Sequence, residues 1–358
     1  MMRLKTRQIS ALTLATLLIF GFQNCAKVGT NGINVESLAS SANADVSPVD
    51  TAIPGTPGDG EVPVSSGGIE KMKQSFTVNS TQKIDILFVV DNSGSMEYEQ
   101  QSMASRLNDF IQIVAGLDWR ISVTTTDPKS SVYGDGNLVA LHGSTNTFIM
   151  DSSMDQITAQ NVLGQTIQRS ETGSASEQGI YATRRAIERS IASTDVRKQF
   201  IRPDAALAVI VISDEDESAY NTKNSGKNLI SYIDYQFSNR KAFTFNSIIS
   251  RPGDTNCLNG EGKTEGYKYQ ELSKLTGGII GDVCATDYSS QVKAIAKEIN
   301  KTAKAITLSC APVDLVNSPI VVTQNNQPVA NFTVSGRNLV FADELAPGTY
   351  DVSFACAK

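Results

Sequence analysis

Ile84-Asp85-Ile86-Leu87-Phe88-Val89-Val90, followed at once by Asp91-Asn92-Ser93-Gly94-Ser95-Met96, is the stretch on which the fold turns. Its first seven residues are apolar except for Asp85, and an apolar run of this length suits a strand covered on both faces rather than one with a wet side. A second run of the same kind, Ala206-Leu207-Ala208-Val209-Ile210-Val211-Ile212, ends in Ser213-Asp214-Glu215-Asp216-Glu217. Trp119 to Thr125 and Phe243 to Ile249 are rich in β-branched and aromatic residues and read as two more strands. Elsewhere the apolar spacing changes to three and four residues, as in Met103, Leu107, Phe110, Ile111 and Val114. Ile180, Ala186, Ile187 and Ile191 repeat it, and so do Val292, Ile295, Ala296 and Ile299. Strand and helix in alternation predict an α/β domain: a Rossmann-like, doubly wound, mostly parallel sheet with helices on both faces.

Composition narrows the chemistry. The chain has 358 residues, 40% of them apolar and 19% charged, which fits one or two globular domains. Its formal charge is -6, and the basic residues form no stripe that would follow a phosphate backbone, so no nucleic-acid partner is expected. With His142 as its single histidine, the chain cannot build a multi-histidine zinc centre, and no Gly-x-Ser-x-Gly elbow is present. His142 itself reads as a loop residue and Trp119 as core.

The amino terminus reads as an export signal. Arg3, Lys5 and Arg7 precede an uncharged stretch from Ile9 to Phe22, shorter than the roughly 20 apolar residues that a spanning helix needs. Cys25, after Phe22-Gln23-Asn24, resembles the processing site of a bacterial lipoprotein, although Asn24 stands where such sites carry a small residue. That resemblance implies residues 1–24 as signal, lipidation at Cys25 and attachment to a membrane, with an outer-membrane lipoprotein of the bacterial envelope as the expected location. Loss of the signal removes three bases and no acids, taking the charge from -6 to -9. From Ala26 to about Gly68 the composition is Ser, Ala, Gly, Pro and Asn, too poor in large apolar residues to fold, and residues 25–81 are expected to form a lipid-attachment cysteine and flexible linker. Four cysteines then remain. Of three possible connectivities, Cys257 with Cys284 and Cys310 with Cys356 is preferred, because each pair closes a loop within one region, and export permits both bridges.

In an open parallel sheet, ligands collect beyond the carboxyl ends of the strands. There Asp91, Ser93 and Ser95 alternate along one loop, with Gly94 expected to permit a sharp bend, and Asp214 follows another buried strand. All four offer oxygen, the donor that hard divalent cations take. The string alone is weak evidence, since Asp151-Ser152-Ser153-Met154-Asp155 nearly matches it. Its place between a buried strand and a helix, with a second acidic strand end far along the chain, gives it weight.

On these residues the chain, over 82–306, resembles a von Willebrand factor A domain with a metal-ion-dependent adhesion site. The resemblance implies metal ligation by Asp91, Ser93, Ser95 and Asp214. In the family a middle loop adds a threonine, and counting back from Gly179 puts Ser176 in that position, with Thr172 or Ser174 as substitutes. Mg2+ is the cation first implied, with Ca2+ or Mn2+ as alternatives. Asp216 and Glu217 are further candidates for a second ion, weighed against a solvated acidic loop.

Residues 307–358 change to short alternating strands with turns at Asn325-Asn326-Gln327-Pro328 and Ala346-Pro347-Gly348, which predicts a small, disulfide-linked β subdomain. The function implied is non-enzymatic: a metal-dependent module for adhesion or envelope assembly, taking an Asp or Glu of a protein partner onto its cation. A metal-assisted hydrolase and a purely structural, cation-stabilised envelope protein are the alternatives.

Overall fold

A computed structural model describes residues 68–78, 82–129, 131–169, 173, 176–218, 224–238, 240–259, 263–343 and 345–357. The export signal, Cys25, the tether as far as residue 67, Thr172 and Ser174 lie outside the described residues.

Both apolar runs lie at the centre of one sheet. In chain order the first elements are β1 (Ile69–Val78), β2 (Lys83–Val90), α1 (Glu97–Ala104), α2 (Leu107–Val114), β3 (Asp118–Thr125), β4 (Met150–Asp151), α3 (Gln156–Ile167) and α4 (Gly179–Ala192). They are followed by β5 (Ala206–Ser213), α5 (Gly226–Gln236), β6 (Phe243–Ile249), α6 (Thr255–Leu258), α7 (Tyr267–Thr276), β7 (Ile280–Asp282) and α8 (Ser289–Ala303). The sheet runs β4-β3-β2-β5-β6-β7. Its neighbours are parallel except β4, which lies antiparallel against β3.

The continuous apolar runs follow from cover on two sides. Ile84, Ile86, Phe88 and Val90 pack into a cluster with residues of α1, α2, α3 and α8. Leu87 and Val89 point the other way, into a cluster with α4, α5 and α7. Asp85, the one acid in the run, is fully buried at the amino end of β2 and takes hydrogen bonds from Arg202 N–H at 2.7 Å and Nε at 2.8 Å. Burial pushes its carboxyl up while the Arg202 charge pulls it back. The helical spacing from Met103 to Val114 is two helices, not one: the chain turns at Ser105 and Arg106, where Arg106 N–H bonds to Met103 O at 2.8 Å. Among the described residues no helix is long and apolar enough to cross a membrane.

The remaining strands are β8 (Ile306–Thr307), β9 (Val321–Gln324), β10 (Gln327–Val329), β11 (Phe332–Ser335), β12 (Asn338–Phe341) and β13 (Gly348–Ala357). They form two sheets, β1-β13-β9-β10 and β11-β12-β8, over a third hydrophobic cluster. Part of the expected linker is therefore structure. Ile69–Val78 pairs antiparallel with β13 along its whole length, from Ile69 opposite Ala357 to Val78 opposite Gly348. Met72, Phe76 and Val78 recur at even spacing and pack on the cluster, a two-residue period sparse enough to pass for tether. Disulfides join Cys257 to Cys284 and Cys310 to Cys356, with Cα atoms 5.5 and 6.1 Å apart. The second bridge ties β13 to the chain entering this subdomain.

Candidate metal centre

Because β2 and β5 are adjacent and parallel, with Val90 opposite Ile212, their carboxyl ends emerge side by side. Asp91 N–H bonds to Ile212 O at 3.0 Å, which carries the register one residue beyond the strand. Asp91 and Asp214 are thereby brought to one floor, both fully buried. Asp91 Oδ1 accepts from Ser93 N–H at 2.8 Å, and Oδ2 accepts from Ser213 Oγ at 2.6 Å. Ser93 Oγ lies 3.0 Å from Ser95 Oγ, and Ser95 Oγ donates to Asp214 Oδ1 at 3.2 Å. The four residues form one connected set. Ser93 is half-buried and Ser95 exposed, so the set opens to solvent at its hydroxyls and is closed at its carboxylates.

The loop is held by its neighbours. Gln100 Nε2 donates to Asp91 O at 2.6 Å. Gly94 does not play the part expected of it: its φ is not left-handed, and an added Cβ would meet nothing within 4 Å. The glycine that space requires is Gly173. Its N–H bonds to Asn92 O at 2.9 Å, and a Cβ there would sit 2.3 Å from Asn92 Oδ1.

Negative charge is concentrated here well beyond what the protein's own cations balance. Burial, then the Asp91 charge, pushes Asp214 up to about 6. Burial raises Asp91 against the donors Ser213 and Ser93. Glu215 is pushed to about 7 by burial and by Asp91 and Asp214. Glu177 is pushed to about 9, again by burial and then Asp91, although Thr126 Oγ1 donates to its Oε2. Among the described residues Lys263 is the nearby cation. Its Nζ lies 2.9 Å from Glu99 Oε1 but 3.8 Å from Asp214 Oδ2, too far for a hydrogen bond. Four buried acceptors around this floor have no hydrogen-bond partner among the described residues: Asp214 Oδ2, Asn92 Oδ1, Glu99 Oε2 and Glu177 Oε1. Buried polar atoms are ordinarily satisfied. Oxygens left over in one place, with no donor to meet them, suit a hard cation.

The donor set limits how such an ion is held. Among the described residues, the one trio of His, Cys, Asp or Glu with ligand atoms all within 4.8 Å of one another is Cys257, Asp282 and Cys284, and its two sulfurs form a disulfide. Among the described residues, no three carboxylates at the Asp91 floor converge that closely. An ion there would rest on hydroxyls with at most two carboxylates directly, the others acting through water.

The other expected site residues among the described ones have partners of their own. Ser176 Oγ is 2.7 Å from Ser218 Oγ, and its neighbour Glu177 lies against Asp91. Asp216 and Glu217 serve the starts of helices. Asp216 Oδ1 accepts from Lys268 N–H at 3.1 Å, at the start of α7. Glu217 accepts from Ile180 and Tyr181 N–H at 2.7 and 3.2 Å, where α4 begins, and from Asn224 Nδ2 at 2.9 Å. The expectation of a solvated acidic loop fails for Glu217, which is 1% exposed because the positive end of a helix compensates its charge there. Sequence reasoning does not select Glu177, Glu99 or Lys263. The signal available for Glu177 was an acid just before the apolar repeat of α4; for Lys263 there was none, since the fold alone brings it here.

No family model matches the chain, and no curated protein does. Among solved structures it is similar to a von Willebrand factor type A protein from Catenulispora acidiphila, at 13% identity and a TM-score of 0.39, covering 81% of this chain and 61% of that one. It is also similar to the pilus adhesin SpaC from Lactobacillus rhamnosus GG in its open conformation, at 9% identity and a TM-score of 0.38, covering 80% and 41%. A third is the manganese-loaded TRAP protein of Plasmodium vivax, at 12% identity and a TM-score of 0.36, covering 65% and 78%. The chain thus spans less than two thirds of the length of the first two.

Proposed function

We propose that this chain is a metal-dependent protein-binding module of the von Willebrand factor A type, held at the bacterial envelope by lipid on Cys25. The observation that carries the reading is the pairing of a buried floor, where Asp214 Oδ2 and Glu177 Oε1 lack donors among the described residues, with a hydroxyl rim open to solvent. Ser93, Ser95 and the carboxylates of Asp91 and Asp214 would hold a divalent cation, Mg2+ first, and a cation so held supplies positions for an external carboxylate. The protein's part is to orient these groups, to keep water from the floor, and to give a partner's acid one attractive point on an acidic surface. Tyr98, 67% exposed at the start of α1 beside the rim, adds apolar area of the kind found at binding surfaces. The role is binding rather than catalysis: the carboxylates are engaged in holding the loops and the expected ion, which leaves them no separate duty as a general base.

The test is retention of envelope proteins by the chain in Mg2+, in Ca2+ and in chelator, with Asp91→Ala as the matched variant. Capture that needs the cation and Asp91 supports the reading; capture that survives chelator and the substitution contradicts it.

A further inference from the structure

Lys263 stands beside the acidic floor, carried there by the segment that joins β6 to α7. The described part of that segment returns along the carboxyl end of β5. Thr264 N–H bonds to Asp214 O at 2.9 Å, and Thr264 Oγ1 accepts from Asp216 N–H at 2.8 Å. Ser250 Oγ, at the start of the segment, also donates to Asp214 O, at 3.1 Å. The Cys257–Cys284 bridge then ties α6 to the chain just after β7. The lysine is therefore placed by backbone bonds and a disulfide on either side of it, in addition to its own charge.

Its ammonium meets three groups. Nζ donates to Glu99 Oε1 at 2.9 Å and to Cys284 Sγ at 3.6 Å, and lies 3.8 Å from Asp214 Oδ2. The side chain is 13% exposed, that of Glu99 10% and that of Asp214 not at all, so these charges act on one another with little screening by salt. The third distance matters most. At 3.8 Å the lysine is close enough to attract Asp214 and too far to take up its oxygen, which has no donor among the described residues. Lys263 thus dilutes the charge of Asp214 and leaves its lone pairs free.

We propose that Lys263 is the floor's built-in counter-charge, which supports the metal-free fold by balancing Glu99 and Asp214 and, as a like charge beside Asp214, holds down the affinity for a divalent cation. The inference rests on the metal reading above and adds to it a residue that sets how tightly the ion is held. Ser95 Oγ donates to Asp214 Oδ1 while Lys263 faces Oδ2, so an ion on the hydroxyl rim and the ammonium would share one carboxylate. Two positive charges so placed repel each other within a Debye length, about 8 Å at physiological salt. Removing the lysine would lift that repulsion and also strand its partners, since the loss of one member of a buried ion pair leaves the other uncompensated. Affinity and metal-free stability should therefore move in opposite directions. With the lysine in place, the chain stays folded while its ion comes and goes.

The experiment compares the full-length wild type, Lys263→Gln and Lys263→Arg, each melted in chelator and each titrated with Mn2+ by calorimetry after chelator treatment. Glutamine keeps a donor for Glu99 and removes the charge; arginine keeps the charge. Lys263→Gln should bind Mn2+ about tenfold or more tightly than wild type and melt about 5 °C lower in chelator, whereas Lys263→Arg should stay within about threefold of wild type. If Lys263→Gln is unfolded in chelator, refolding at an Mn2+ concentration below that which saturates the wild type supports the inference, and failure to refold overturns it. A lysine that only braces the loop would lower the melting temperature and leave affinity unchanged or weaker. That result, or equal tightening in Lys263→Arg, overturns the inference and leaves the metal reading in place. Absence of Mn2+ uptake by wild type and Lys263→Gln alike would end both.

Discussion

Asp214→Asn should raise or preserve stability without metal and abolish the stability that metal confers. In the wild type Asp214 is fully buried, one of its oxygens has no partner, and burial with the Asp91 charge holds its carboxyl at about 6 instead of 3.8. Once ionised, at pH 8, such a group costs folding up to about 3 kcal/mol. Asparagine keeps the oxygen that accepts from Ser95 and removes the charge, while its amide introduces a buried donor whose cost is about 1 to 3 kcal/mol if unmet. The balance in chelator therefore lies between about zero and about +3 kcal/mol. With Mn2+ at about 100 times its dissociation constant, the wild type should gain about 2.7 kcal/mol, or roughly 5 to 10 °C in melting temperature for a domain of this size. The variant, lacking one of the two principal carboxylates, should gain little of this. Scanning calorimetry in chelator and in Mn2+ should then show the order of the two proteins reversing. If Asp214→Asn melts below wild type by the same margin in both buffers, the residue is structural and the reasoning fails.

Three other expectations follow from the same structure. In chelator, stability should fall as pH rises from about 5 to about 9: Asp214, Glu215 and Glu177 hold their protons up to about 6, 7 and 9, so the folded state is favoured while they are protonated and loses that advantage as each ionises. A flat or rising melting temperature over that interval would contradict the charge balance of the floor. Arg202→Met should destabilise by about 3 to 5 kcal/mol, since it strands the buried Asp85 at the opposite end of the sheet; denaturant titration measures this, and metal affinity should not change. Replacing Cys310 and Cys356 by Ser should cost about 2 to 5 kcal/mol and loosen β1, which hydrogen exchange along Ile69–Val78 would report.

The parts of the molecule that the sequence discloses are those whose pattern is local. β2 and β5 are readable because cover on both faces leaves no room for polar residues, and Asp91, Ser93, Ser95 and Asp214 are readable because they follow those runs directly. Their adjacency then rests on one further step, the parallel pairing of the two strands. What escapes is set by distant partners. β1 has a thin alternation and gains its strand character from β13, at the other end of the chain. The acids of 214–217 look alike in sequence, yet Glu217 turns to the start of α4, Asp216 to α7, and Asp214 to the floor. Glu177 stands beside Ser176, the residue that counting selects, and feels the charge of Asp91 through a fold that no local pattern announces.

The most direct test of the metal reading is a calorimetric titration of the chelator-treated full chain with Mn2+ and Mg2+, alongside Asp91→Ala. The structure predicts saturable uptake of one ion per chain by the wild type and its loss in the variant. No uptake at about millimolar concentration, the weak end of the range for oxygen-ligand sites, or equal uptake by Asp91→Ala, would contradict the claim that this floor is a cation site.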